Sequence, residues 1–142
     1  VNTKQQWLQA FTGGFLATLI FHQGVLALFW LGGAIPAMPW NMNPVPPLAV
    51  PQVISLAFWG GLWGLPVWWL IRRWQGPSYW LSAILLGAIG PTLVAMLVVF
   101  PMKGIEVNAT KVVGGLIVNA AWGLGLAIWM QLNRSRWQAE SR

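Results

Sequence analysis

The chain has no cysteine, a single histidine and only two acidic residues in 142 positions. Without cysteine there are no disulfides, no thiolate metal sites and no sulfur nucleophile. The two acids, Glu106 and Glu140, fall in a loop and in the C-terminal tail. They supply no paired carboxylates for acid/base work, no metal-ligand cluster and no triad. The sequence therefore predicts a protein that is not an enzyme and holds no metal. Charged residues make up 7% of the chain, against about 25% in soluble domains. So few charges cannot coat a water-facing surface. The net charge of +6 would point to nucleic acid in a soluble protein. Here the basic residues cluster at the ends of apolar runs, where membrane topology explains them, and no nucleic-acid partner is expected.

The chain is instead 57% hydrophobic, arranged in four long runs. Each is about the 20 residues needed to cross a hydrocarbon core of roughly 30 Å. The expected spans are 10–31, 52–71, 79–100 and 112–132, within a single domain covering 1–142. The first is too long for a signal-peptide core and is led by one basic residue, Lys4, so it reads as a span. The predicted fold is all-α: an integral membrane four-helix bundle with a Pro-rich extended outer loop between helices 1 and 2. That loop, 32–51, carries six prolines and no charge. Proline breaks helix and favours extended or turn backbone. Pro66 and Pro91 fall inside the second and third spans and are expected to bend them.

The second span organises the rest. It reads Phe58-Trp59-Gly60-Gly61-Leu62-Trp63-Gly64 at its centre. Gly60 and Gly64 share one helix face and allow close approach of a neighbour. Gly14, Thr18 and His22 step by four along the first span, Gly87 marks a small-residue face on the third, and Gly115, Asn119, Gly123 and Ala127 step by four along the fourth. These are the expected helix-packing surfaces. Trp63-Gly64-Leu65 reappears as Trp122-Gly123-Leu124, which suggests two related hairpins. Four spans put both termini on one side with Lys4, Arg72, Arg73, Arg134, Arg136 and Arg142. The other side holds Lys103 and Lys111. The positive-inside rule then predicts cytoplasmic termini.

The candidate site lies within the membrane. Polar side chains there usually face the bundle interior. His22, Gln23, Thr92 and Asn119 fall at similar depth and form the expected polar intramembrane cluster. Trp59, Trp63 and Trp122 lie too deep for an interfacial belt, and their indole N–H groups need acceptors. The simplest expectation is that these groups bond one another and fix helix register. With His22 they form a candidate cofactor-binding set for a haem- or chlorophyll-type ring pigment, a carotenoid, a quinone or a bound lipid. One histidine holds such a ring from one side only.

His22-Gln23-Gly24, Pro44-Val45-Pro46-Pro47, Phe58 to Gly64, Gly90-Pro91-Thr92, Pro101 with Lys103-Gly104, Asn119 and Trp122-Gly123-Leu124-Gly125 together resemble a group of small bacterial inner-membrane proteins of unassigned function. The resemblance spans most of the chain. It implies a bacterial four-helix membrane protein and carries over no functional residues. The expected function is that of a non-catalytic accessory or structural subunit of a larger membrane complex, energy-converting or photosynthetic, in contact with lipids and other membrane subunits. The alternatives are the ring, carotenoid or quinone binder and an oligomeric small transporter or channel, which the broken spans favour.

Overall fold

The computed structural model describes residues 2–140. Arg142, counted above on the basic side, lies outside them. The described residues form four helices, each long and apolar enough to cross a membrane: α1 (Thr3–Leu31), α2 (Gln52–Ile71), α3 (Gly76–Met102) and α4 (Ala109–Glu140). The chain is a multi-pass membrane protein by the length and composition of these helices.

Three of the four helices outrun their expected bounds. The polar leader continues α1 backwards to Thr3, because Asn2 caps it: its side-chain oxygen accepts the Gln5 N–H at 2.8 Å. α4 begins at Ala109, where Asn108 Oδ1 accepts the Lys111 N–H at 3.0 Å, and runs on through the basic tail. α3 starts at Gly76, with Pro77 in its first turn. Only α2 keeps its expected ends, bracketed by Pro51 and Arg72. Pro66 and Pro91 both lie within continuous helix. The backbone departs from α geometry at two π turns, Thr18–His22 in α1 and Ala95–Val99 in α3.

The helices pack as two hairpins, α1 with α2 and α3 with α4, joined mainly through α1 and α4. Both hairpins use one kind of crossing. A Cβ on Gly64 would overlap the Ala10 carbonyl oxygen and lie 3.3 Å from the Gly14 Cα. A Cβ on Gly123 would overlap the Ala83 carbonyl oxygen and lie 3.2 Å from the Gly87 Cα. In each case a glycine of the second helix rests on an Ala-x-x-x-Gly pair of the first, so backbone meets backbone. The tryptophan before each glycine reaches the opposite hairpin. Trp63 lies over Gly90 of α3, and Trp122 donates its indole N–H to the Gly14 carbonyl of α1 at 2.9 Å. The Trp-Gly-Leu echo thus marks a repeated packing unit.

At the end that holds both termini, Ala10, Val67, Trp68, Ile71, Tyr79, Ala83, Leu126, Ala127 and Met130 form the buried core. Tyr79 donates its hydroxyl to the Ala127 carbonyl at 2.8 Å and ties α3 to α4 there.

The loop between α1 and α2 is more folded than an extended strap. Pro44–Val45 and Val50–Pro51 pair as a two-residue antiparallel ladder, with a cis bond at Pro46-Pro47. Asn41 and Asn43 carbonyls accept the Val53 and Gln52 N–H groups and seat the loop on the start of α2.

Candidate functional site

The Gly14 carbonyl is the most heavily used acceptor inside the bundle. It takes the Thr18 Oγ1 hydrogen bond at 3.0 Å and the Trp122 indole at 2.9 Å. A Cβ on Gly60 would lie 2.9 Å from that same oxygen, so α2 packs on it as well. Gly14 has no side chain to hold α2 away: a Cβ there would overlap the Gly60 carbonyl oxygen. Gly14 and Thr18 therefore face α2, as their four-residue step predicts.

His22 leaves that face. The step of four holds only in α-helix, and a π turn adds a residue between Thr18 and His22. The Gln23 N–H consequently bonds the Thr18 carbonyl five residues back. The Leu19 carbonyl, displaced from its usual partner, accepts the Trp40 indole N–H at 2.8 Å. Gln23 is buried, and its Oε1 accepts the Trp40 backbone N–H at 2.7 Å. Two bonds thus hold Trp40, whose backbone adopts a positive φ of 50°, a conformation unfavourable for a bulky residue. The loop is pinned to α1 eight residues below its end at Leu31, roughly 12 Å down the helix.

This arrangement also fixes the histidine. A backbone N–H can only donate, so the Gln23 atom facing Trp40 is the oxygen, and the amide nitrogen faces His22. Gln23 Nε2 lies 3.3 Å from His22 Nδ1. The amide donates, Nδ1 accepts, and a neutral His22 carries its proton on Nε2. In that tautomer Nε2 is a hydrogen-bond donor. To offer a lone pair from Nε2 the ring would have to give up Gln23, or Gln23 would have to give up Trp40.

The four polar residues meet as two pairs. His22 and Gln23 serve the loop. Asn119 Nδ2 donates to Thr92 Oγ1 at 2.9 Å and joins α4 to α3. No hydrogen bond connects the pairs among the described residues, because Asn119 lies on the α3-facing stripe of α4. That stripe is continuous: Gly115 faces Thr92 and Met96, Gly123 faces Gly87 and Ala83, and Ala127 accepts from Tyr79.

The three deep tryptophans separate likewise. Trp122 is buried and bonded within the core. Trp63 is half-buried against Gly90. Trp59 turns outward, 59% exposed. It ends a chain of aromatic rings: Phe15 to Phe11 at 6.4 Å, Phe11 to Phe58 at 5.9 Å, and Phe58 to Trp59 at 6.0 Å between centroids. Phe11 in turn lies over Gly61, so the row is seated on the α1–α2 crossing.

Two residues important to this geometry were not among the sequence candidates. Trp40 sits in a Pro-rich loop with no periodicity to place it; its only signal is a large aromatic between turn-forming Pro39 and Asn41. Tyr79 is the chain's single tyrosine, a type that seeks a partner for its hydroxyl when buried. Among the described residues no three His, Cys, Asp or Glu side chains gather. Comparison of the chain with protein-family models, with curated proteins and with solved structures finds no match.

Proposed function

We propose that the protein is a non-catalytic accessory subunit of a larger complex in a bacterial inner membrane. It spans the bilayer as a four-helix bundle, with both termini in the cytoplasm and the Pro-rich loop on the outer side. The observation that carries this reading is Trp59. Its place in α2 is about 10 Å inside the Gln52 end, too deep for the interfacial belt formed by Trp69, Trp74 and their neighbours. More than half of its surface is exposed, and its indole N–H has no partner among the described residues. Lipid tails offer that N–H nothing, whereas a helix of another subunit offers a carbonyl or hydroxyl. The aromatic row from Phe15 to Trp59 then forms a contact surface of fixed shape. Trp122 and Trp63 are engaged in holding the two hairpins together, which favours this reading over a ring-binding one.

A photoreactive amino acid at position 59, activated in native membranes, tests the assignment. The expected product is one discrete protein adduct from position 59 and only lipid adducts from position 97, an exposed leucine on α3. Lipid adducts alone from position 59, with elution as a lone monomer in mild detergent, would overturn it.

A further inference from the structure

Three arginines converge at the end of the bundle that carries both termini. Arg72 and Arg73 close α2, and Arg134 reaches the same place from α4. With Gln6 of α1, Trp68 and Trp137 they line an open cleft of about 370 Å³. No ion pair forms among the described residues; Glu106 lies at the opposite end of the molecule, and Glu140, six residues after Arg134 on α4, is the one acidic position at this end. Three like charges around one cleft repel each other unless an anion enters.

Arg134 is already positioned. Its guanidinium donates to the Arg72 carbonyl and lies 5.3 Å from the Trp68 ring centroid and 5.4 Å from that of Tyr79. Stacking of this kind fixes the plane of the group while leaving further N–H donors on its fork. A planar, fixed guanidinium suits the paired oxygens of a phosphate. Arg73 is exposed beside it and adds a second cation.

We propose that this cleft binds the phosphate group of an anionic phospholipid. A phosphate oxyanion is the shared chemistry, and depth argues for lipid as its source. The arginines follow directly on a 20-residue apolar helix, so they sit at the headgroup layer. Exposed Trp69 and Leu70 adjoin them on α2; these offer an apolar path for acyl chains. Basic pockets between membrane helices take anionic headgroups by this logic.

The test uses the full chain in mild detergent, with bound lipid counted by native mass spectrometry. Phosphatidylglycerol and phosphatidylcholine are supplied at equal mole fraction, and inorganic phosphate is added in a separate arm. We expect one phosphatidylglycerol retained per chain, preferred over phosphatidylcholine by roughly tenfold. Arg73→Gln should cut the preference about fivefold without disturbing the fold, since Arg73 is exposed and makes no hydrogen bond or ion pair among the described residues. Arg134→Gln should abolish it, scored only in fractions that elute as the wild type. Lys111→Gln, at the other end, should leave it unchanged. Equal retention of the two lipids would overturn the proposal. So would a preference undiminished in Arg73→Gln, or one lowered equally by Lys111→Gln. Displacement of the lipid by millimolar phosphate would show a soluble-anion site and overturn the lipid assignment.

Discussion

The two hairpins share one crossing and diverge beyond it. In both, a glycine of the second helix rests on the backbone of an Ala-x-x-x-Gly pair. Towards the end away from the termini, α3 and α4 are joined directly by Asn119 and Thr92, and a short connection follows. In the other hairpin, Gly60 leaves no side chain opposite Thr18. Thr18 turns back on its own helix, and the next polar side chain to bond outside the helix, Gln23, holds a long loop instead of a helix. The position matching Asn119, four residues before the crossing glycine, is Gly60. One exchange of asparagine for glycine thus accompanies a change from helix–helix bonding to helix–loop bonding.

The largest effects should come from the shared crossing. Gly123→Leu and Gly64→Leu each place side-chain atoms where a backbone carbonyl sits, and a carbonyl cannot turn aside as a side-chain tip can. We expect losses of about 3 kcal/mol or more, seen as a lower midpoint in detergent-induced unfolding. Similar losses from the two variants would support equivalence of the hairpins, and a tolerated Gly64→Leu would break it. The next test separates the two tryptophans. Trp122→Phe removes a buried hydrogen bond and part of a fully buried ring, leaving the Gly14 carbonyl to Thr18, and should cost about 1–3 kcal/mol. Trp63→Phe removes an N–H that bonds nothing in the described structure. It should cost less than half as much by the same measurement.

Smaller again are the polar pairs. Thr92→Val and Gln23→Leu should each cost about 0.6–2 kcal/mol, with different outcomes. Thr92→Val lowers the stability of the α3–α4 contact. Gln23→Leu also frees the loop at Trp40, so limited proteolysis should cut within 34–50 faster, a change that Thr92→Val should not produce. The smallest change is expected where glycine contacts nothing. A Cβ on Gly24 or Gly114 meets no atom within 4 Å. Alanine there should leave stability within about 0.5 kcal/mol of the parent, or raise it slightly.

How far the fold could be read from the sequence depended on whether a segment keeps one helical period. α4 does, so the stripe from Gly115 to Ala127 follows from spacing; that α3 is the helix it meets does not. α2 does too, and its ends are marked by a proline and an arginine pair. α1 changes period at Thr18–His22. Counting by four therefore places Gly14 and Thr18 correctly and sends His22 to the wrong neighbours. The single polar cluster expected from depth divides for the same reason, since depth says nothing of rotation about the helix axis. The α1–α2 loop was the least legible part. Its prolines exclude helix but do not tell which residue will fold back, and the bonds that hold Trp40 come from 17 and 21 positions away.

The carbonyl at Gly14 has a consequence for the order of assembly. Its indole donor is 108 residues further along the chain. Chains emerge N-terminus first, so α1 and α2 can pair long before residue 122 has been made. During that interval the carbonyl is served by Thr18 of its own helix alone, and the arrival of the last helix adds its long-range donor. The earliest segment to meet the membrane is thus the last to reach its final bonding state.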